Sequence, residues 1–376
     1  MSFFGVTVET LESITPITGA DRIVMGMLKG MDYQFILKKG GIAPTHQCIF
    51  FPIDSIIPVE LLKFVGLDGK LSGGSKNRVK TIKMKGQISQ GLVLSVPEIE
   101  KYLLSIGKLL DTSLTDLTEC LGVTKYDPEI IGTSHGSNAA RGSINRPLPE
   151  DVHHYDIEGT DRHKDIIEVL MKTPVYITEK LEGMNFALKR DPEGNITICS
   201  RNRTVYVESG SMMKRFFMRI KNLFKKRIVS QHEQAIRNSG LIEAIHTLAA
   251  TCHPYDTIIF RGEVLGPQVQ NNIYHLDKLR GVVFDIQMGG EYLSVEPFLR
   301  YAAELGLSTP PMLWCDDTLE KFLGYKTIAE MSDGISKLFE TKREGIVIKP
   351  MVEETCKIGR MFLKKRSPEY LNESDL

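Results

Sequence analysis

The chain has 376 residues, 42% of them hydrophobic and 25% charged, and its 47 basic and 47 acidic side chains leave a formal net charge of zero. Such a chain buries full-sized cores, is not intrinsically disordered, and is long enough for two domains. Six scattered cysteines with no Cys-x-x-Cys pair exclude a disulfide framework and a zinc ribbon, and they fit a reducing compartment. The opening MSFFGVTVET lacks the basic flank and apolar run of a secretory signal, and no apolar stretch approaches the roughly 20 residues of a membrane span. The expectation is a soluble, intracellular protein without membrane contact, acting as a monomer.

The first hundred residues read as short strands between turn residues: Asp21–Gly26, Gln34–Lys38, Gln47–Phe51, and a pair, Val79–Met84 and Gly91–Val96, joined by KGQISQ. About five strands of that length fit a small closed barrel of the OB type. A helix is expected over 98–125. From 131 to 149 the composition turns to Gly, Ser, Asn and Pro, which marks a linker between residues 1–130 and 150–376. Beyond it, 161–172 reads as a helix and PVYITEK as a strand. NFALKRDPEGNITICSRN reads as a hairpin around Asp191–Asn195. Residues 211–250 read as helical, and strands follow at 257–265, 281–287, 292–295, 345–349 and 361–365. The second domain is therefore expected to be α+β, built around antiparallel sheets. Two basic clusters, Lys76–Lys85 and Lys214–Arg227, read either as solvated faces or as contacts for a polyanion.

Eight lysines stand three residues before a glycine, so that spacing alone says little. Lys180 differs in position: it ends an apolar strand, lies where the chain turns, and is followed by the hairpin in Glu179-Lys180-x-Glu182-Gly183-x-Asn185. A lysine amine attacks phosphorus only when deprotonated, and glycine in the turn lets backbone approach a phosphate. Arg201, on the returning hairpin strand, comes back toward that turn. Then come FRGEVLG with Glu263 between two glycines, VFDI with Phe284, EGIVIK with Glu344 and Lys349, and FLKKR with Lys364 and Lys365. Each has a plain structural reading: Arg201 pairing with a surface acid, Phe284 in the core, Lys364–Arg366 as a solvated tail. Taken in order at strand edges, they supply a nucleophilic amine, an aromatic for base stacking, acids for a divalent metal and cations for phosphates. The nine histidines show no ligand spacing, and His153-His154 reads as a surface pair.

On these motifs, residues 150–376 resemble the covalent nucleotidyltransferases, the superfamily of ATP-dependent polynucleotide ligases and capping enzymes. Within it they resemble the RNA ligases that join 3′-OH to 5′-phosphate ends. GADRIVMGMLKG, FFPIDSIIP and KTIKMKGQISQGLVL resemble the OB module that precedes the ligase domain in Deinococcus-type RNA ligases. The resemblance implies an antiparallel-sheet, ATP-grasp-like adenylation domain preceded by a small β-barrel. It implies Lys180 as the residue that becomes adenylated, Asn185 and Arg201 as nucleotide contacts together with Glu179, and Phe284 as the aromatic stacked on adenine. Glu263 matches the glycine-flanked acid that binds ribose or metal-bound water, and Glu344 a second metal-facing acid. Glu182 stands where the family usually has Asp, a longer acid able to serve a metal through water. Lys349 and the pair Lys364/Lys365 match phosphate-binding lysines, with the register of that pair open.

The implied cofactors are ATP and Mg²⁺ or Mn²⁺, the latter held by Glu182, Glu263 and Glu344. The implied partner is RNA with 3′-OH and 5′-phosphate ends, a nicked duplex being one form. The implied route runs through lysyl-AMP and an RNA-adenylate in successive in-line displacements, a chemistry of positioning and charge neutralisation. DNA ligases and capping enzymes carry an OB domain after the last lysine motif, and only ten residues follow Arg366 here, which points to an RNA ligase with its OB module in front. A DNA ligase, a GTP-dependent capping-type enzyme and a non-catalytic RNA-binding relative are the alternatives.

Overall fold

The computed structural model describes residues 4–31, 33–113, 116–126, 146–209, 229–251 and 257–373. Most of the expected linker at 131–149 and all of the basic stretch 214–227 lie outside these residues. Among the described residues, those up to 126 form one compact unit with 159–167, and 146–158 with 168–373 form another.

The first unit is built on β1 (Thr7–Pro16), β2 (Ile23–Leu28), β3 (Gln34–Lys38), β4 (Gln47–Phe51) and, after α1 (Val59–Phe64) and the hairpin β5 (Ile82–Met84)–β6 (Gln87–Ser89), β7 (Leu92–Ser95). The five main strands are ordered β3-β2-β1-β4-β7, all antiparallel. The outer strand β3 meets the chain around β6: the Ile36 N–H donates to Ser89 Oγ at 3.0 Å, and the Gln90 N–H donates to the Gln34 carbonyl at 2.9 Å. These bonds bring the sheet close to a barrel. After the exposed Gln47, β4 (QCIFF) is apolar because Cys48–Phe51 are covered on both faces. Cys48 and Phe50 point in with Leu11, Leu28 and Phe35, whereas Ile49 and Phe51 pack with Leu61, Ile99 and Leu103 of the helices. Burial pushes the Cys48 thiol up to about 12.

Three details differ from the sequence reading. β1, the longest strand of the unit, carries no alternation that marked it. The strand at 79–84 is shorter and does not pair with 91–96; it turns back at Lys85-Gly86, both with left-handed φ (52° and 78°), to pair with Gln87–Ser89. Two such residues in succession make the tight turn that suits a two-residue hairpin. The helix expected over 98–125 is α2 (Val96–Ser105), started by a capping box between Ser95 and Glu98 and ended ahead of Gly107 at φ 74°.

The second unit stacks two antiparallel sheets. Seven strands run in the order β8-β12-β11-β10-β13-β14-β15: β8 (Arg146–Pro147), β10 (Met184–Arg190), β11 (Ile196–Cys199), β12 (Arg203–Glu208), β13 (Ile258–Leu265), β14 (Arg280–Met288) and β15 (Glu291–Tyr292). The hairpin β10–β11 is as expected: Gly194 takes φ 75°, and Asp191 Oδ1 accepts the Asn195 N–H at 2.7 Å. Phe186, Leu188, Ile258, Phe260, Val264 and Ile286 form one face, covered by α3 (Gln231–Asn238), α4 (Leu241–Thr251) and α5 (Val295–Glu304). The alternate residues, among them Asn185, Ala187, Arg261 and Glu263, necessarily face the other way. Burial pushes the Cys199 thiol on that face up to about 11. In the other sheet β18 (Leu363–Arg366), β17 (Gly345–Pro350), β9 (Pro174–Glu179) and β16 (Met312–Thr318) are neighbours in that order, and α6 (Pro368–Glu373) follows. The helix expected at 161–172 is shorter, Lys164–Leu170. No helix among the described residues is long and apolar enough to cross a membrane.

Candidate active site

A cavity of about 190 Å³ lies between the inward faces of these two sheets. One wall carries Asn185, Glu263 and Phe284; the other carries Tyr176, Thr178, Val347, Lys349 and Lys364, with Lys180 and Arg201 at the edge. Strand register selects these side chains. Tyr176 pairs with Lys349 and Thr178 with Val347, so all four share a face, and Lys364, opposite Val347, joins them. Lys365 pairs with Ile346 on the reverse face, and it is absent from the lining. Of the two lysines left open by the sequence, Lys364 is the one that lines the cavity.

Phe284 reaches the cavity through a bulge. Arg261 pairs with Asp285 and Gly262 with Val283, so Phe284 is the extra residue between them. A bulge re-aims its side chain, and here two consecutive residues, Phe284 and Asp285, share the cavity side while Val283 and Ile286 enter the helix-covered core.

Lys180 follows β9, and its N–H donates to the Gly345 carbonyl at 2.9 Å. Its Nζ donates to Glu344 Oε2 at 2.6 Å, and Arg366 Nε lies 3.7 Å from Glu344 Oε1. Glu263 stands nearby with no hydrogen-bond partner among the described residues. Burial pushes its carboxyl up to about 8, with Glu344 adding to the shift and Lys180 opposing it. Burial, together with the Lys180 charge, brings Lys364 down to about 8. The Lys180 turn needs its glycine: a Cβ on Gly183 would fall 2.5 Å from the Val264 carbonyl oxygen and 2.6 Å from Glu263 Cγ. Below Asn185, His232 is held neutral by burial, down to about 4, and donates Nε2–H to the Asn185 carbonyl at 3.2 Å.

The far end of the cavity is a closed ion cluster. Lys349 Nζ donates to Asp285 Oδ1 at 2.7 Å and to the Phe284 carbonyl at 2.9 Å; Arg360 donates to Asp285 Oδ2 at 2.8 Å, and the Tyr155 hydroxyl donates to the same carboxylate. Burial alone would raise Asp285, but Lys349 and Arg360 hold it down to about 2. Tyr155 also packs against Phe284, ring centres 4.9 Å apart.

Of the expected site residues, Lys180, Asn185, Arg201, Glu263, Phe284, Lys349 and Lys364 line the cavity, and Glu344 reaches it through Lys180. Arg201 is tied to Asp156 at 2.5 Å. Glu179 borders the cavity, but its buried carboxylate is turned away, accepting from Ser336 Oγ at 2.7 Å and the Lys337 N–H at 2.6 Å. Glu182 does not join the other two glutamates, because its carboxylate is engaged by Tyr370 and the Asn271 N–H. Among the described residues no group of three or more His, Cys, Asp or Glu side chains is gathered to hold a metal directly. Glu263 and Glu344, two acids sharing one lysine, are the pair whose chemistry suits a divalent cation. The sequence reading missed Tyr155, Tyr176, Phe298 and Pro310, which line the cavity without belonging to any motif.

A strand-end lysine facing acids, with an aromatic slot and buried cations between two antiparallel sheets, defines the covalent nucleotidyltransferase class. The family model for RNA ligase matches residues 173–366, and an OB-fold domain model matches residues 5–96; the chain belongs to the RNA ligase family. No curated protein matches it. It is similar in fold to the solved structure of Naegleria gruberi RNA ligase with PPi, at a TM-score of 0.72 and 24% identity over 98% of each chain. Variants of the same ligase, one with AMP and Mn (TM-score 0.71, 23% identity, 98% of each chain) and one with ATP and Mn (0.70, 23%, 99% of each), are also similar.

Proposed function

We propose that this ligase uses ATP to join RNA 3′-OH and 5′-phosphate ends, through a lysyl-AMP on Lys180 and an RNA-adenylate. One observation carries the reading: the Lys180 amine points into the cavity that also holds Phe284, Glu263 and Lys364, and Glu344 accepts its hydrogen bond. Lys180 Nζ attacks the α-phosphorus, pyrophosphate leaves in line, and Glu344 aims the amine and offers an acceptor for its proton. Phe284 supplies a face for adenine, while Arg201 and Lys364 meet the phosphates. Asn185 holds the nucleotide on the opposite wall. Lys349 serves less as a free phosphate ligand than as the cation that fixes Asp285 behind the base. ATP and Mn in the Naegleria structures support the choice of nucleotide and metal. Glu263 and Glu344 would hold Mg²⁺ or Mn²⁺, whose charge would offset that of the phosphates.

We assign the adenylation domain to 150–376 and an RNA-holding OB module to 1–130, joined by 131–149. Incubating the protein with ATP labelled on the α-phosphate, then running a denaturing gel, tests the reading. Label on the wild type and none on Lys180→Ala is the expected result; label from GTP alone overturns it. Removing residues 1–140 is expected to slow joining far more than labelling, and equal losses would make that segment structural.

A further inference from the structure

Glu182 is 7% exposed and faces away from the cavity. Two segments distant in sequence, 271–274 and the one holding Tyr370, converge on it. Its Oε1 accepts the Asn271 N–H at 2.9 Å, its Oε2 accepts the Tyr370 hydroxyl, and its own N–H donates to the Tyr274 hydroxyl at 2.9 Å. Tyr370 lies on α6, which is itself tied to the other side of the nucleophile. Ser367, fully buried ahead of the helix, donates its N–H to the Glu344 carbonyl at 2.9 Å and its Oγ to Asp333 at 2.5 Å, and accepts the Tyr370 N–H at 3.0 Å. With the Lys180 N–H on the Gly345 carbonyl, the bonds close a ring: Lys180 to Gly345, Glu344 to Ser367, Ser367 to Tyr370, Tyr370 to Glu182, and Glu182 back along two peptide units to Lys180.

We propose that Glu182 is a positioning residue in this chain rather than a metal ligand: its carboxylate clasps Tyr370 and so locks the Lys180 turn in register with Glu344. The side chain has the length the clasp needs. Aspartate would be shorter by one methylene, about 1.5 Å, which breaks a hydrogen bond to a hydroxyl held on another element. Burial and the facing Glu182 both raise the Tyr370 hydroxyl, so it remains a donor at neutral pH. Its two oxygens are turned to the Asn271 N–H and the Tyr370 hydroxyl, and the side chain does not line the cavity that Glu263 enters.

The proposal rests on the ligase reading, and Glu182→Asp and Tyr370→Phe in the full chain test the two separately. Hydrogen exchange reads the clasp whatever the activity: both variants are expected to speed exchange of the 368–373 amides about tenfold. Unchanged protection in either variant overturns the proposal. In the labelling assay both are expected to slow adenylation about tenfold at saturating Mn²⁺, with the Mn²⁺ concentration for half-maximal rate unaltered. The double variant should be no slower than the slower single one, as for residues acting through one bond. If Glu182→Asp labels as fast as wild type, or shifts the Mn²⁺ requirement tenfold, the residue acts at the metal and the clasp is wrong. A wild type that takes no label refutes the ligase reading and leaves the exchange result standing.

Discussion

The two ends of the cavity use the same residue types in opposite ways. At one end Asp285 is surrounded by Lys349, Arg360 and Tyr155 and is held down to about 2. At the other end Glu263 and Glu344 share Lys180, and Glu263 is pushed up to about 8. A compensated charge cluster is a scaffold; an under-compensated one has affinity left over for a cation and a phosphate. The contrast separates residues that hold the pocket from residues that act in it, although both sets consist of lysines and acids.

Three measurements break or sharpen that contrast. The largest effect belongs to the scaffold end. Asp285→Ala strands the buried Lys349 without its anion and leaves Arg360 with Glu353 alone, and loss of one partner of a buried pair costs about 3–5 kcal/mol. Chemical denaturation is expected to show that loss, and a variant as stable as wild type would mean the cluster is not structural. Glu263→Gln is expected to slow labelling about a hundredfold, the scale of one electrostatic group in a transition-state site. Its melting temperature at pH 7 should match or exceed that of wild type, and a drop would place Glu263 with the scaffold.

The smallest effect is in pH. Between its ordinary value near 4.5 and about 8, folded Glu263 keeps a proton that the unfolded chain has released, so this group makes stability fall as pH rises through that window. Asp285 acts at the acid end: its contribution is complete above its ordinary value near 3.8 and is lost toward about 2. A cation must displace the Glu263 proton, so Mn²⁺ affinity is expected to rise up to about tenfold per pH unit from 6 to 8 and then level off. Titration calorimetry checks this, and Glu263→Gln should abolish the slope.

Much of the site could be read from local pattern. The Asp191–Asn195 turn fixed a hairpin, the glycines beside Glu263 marked a close approach, and the apolar strand ending at Lys180 aimed it at a turn. What escaped depends on pairing between distant strands. Lys364 and Lys365 are chemically alike, and only the register of β18 on β17 separates them. The bulge that presents Phe284 is set by β13. Tyr155 and Tyr370 are single tyrosines whose meaning comes from Asp285 and Glu182, 130 and 188 residues away. In the first unit, QCIFF was legible as a strand because burial on both faces makes its last four residues apolar, whereas the Lys85-Gly86 turn needed backbone angles to be seen.

The two sealed cysteines give each unit its own clock. Cys48 and Cys199 are fully enclosed, one in each unit, with their thiols raised to about 12 and about 11. Alkylating reagents consume the thiolate, so neither sulfur reacts at neutral pH while its surroundings stay shut. Their separate modification rates, followed by peptide mass, would time how often each half of the molecule opens, without any introduced probe.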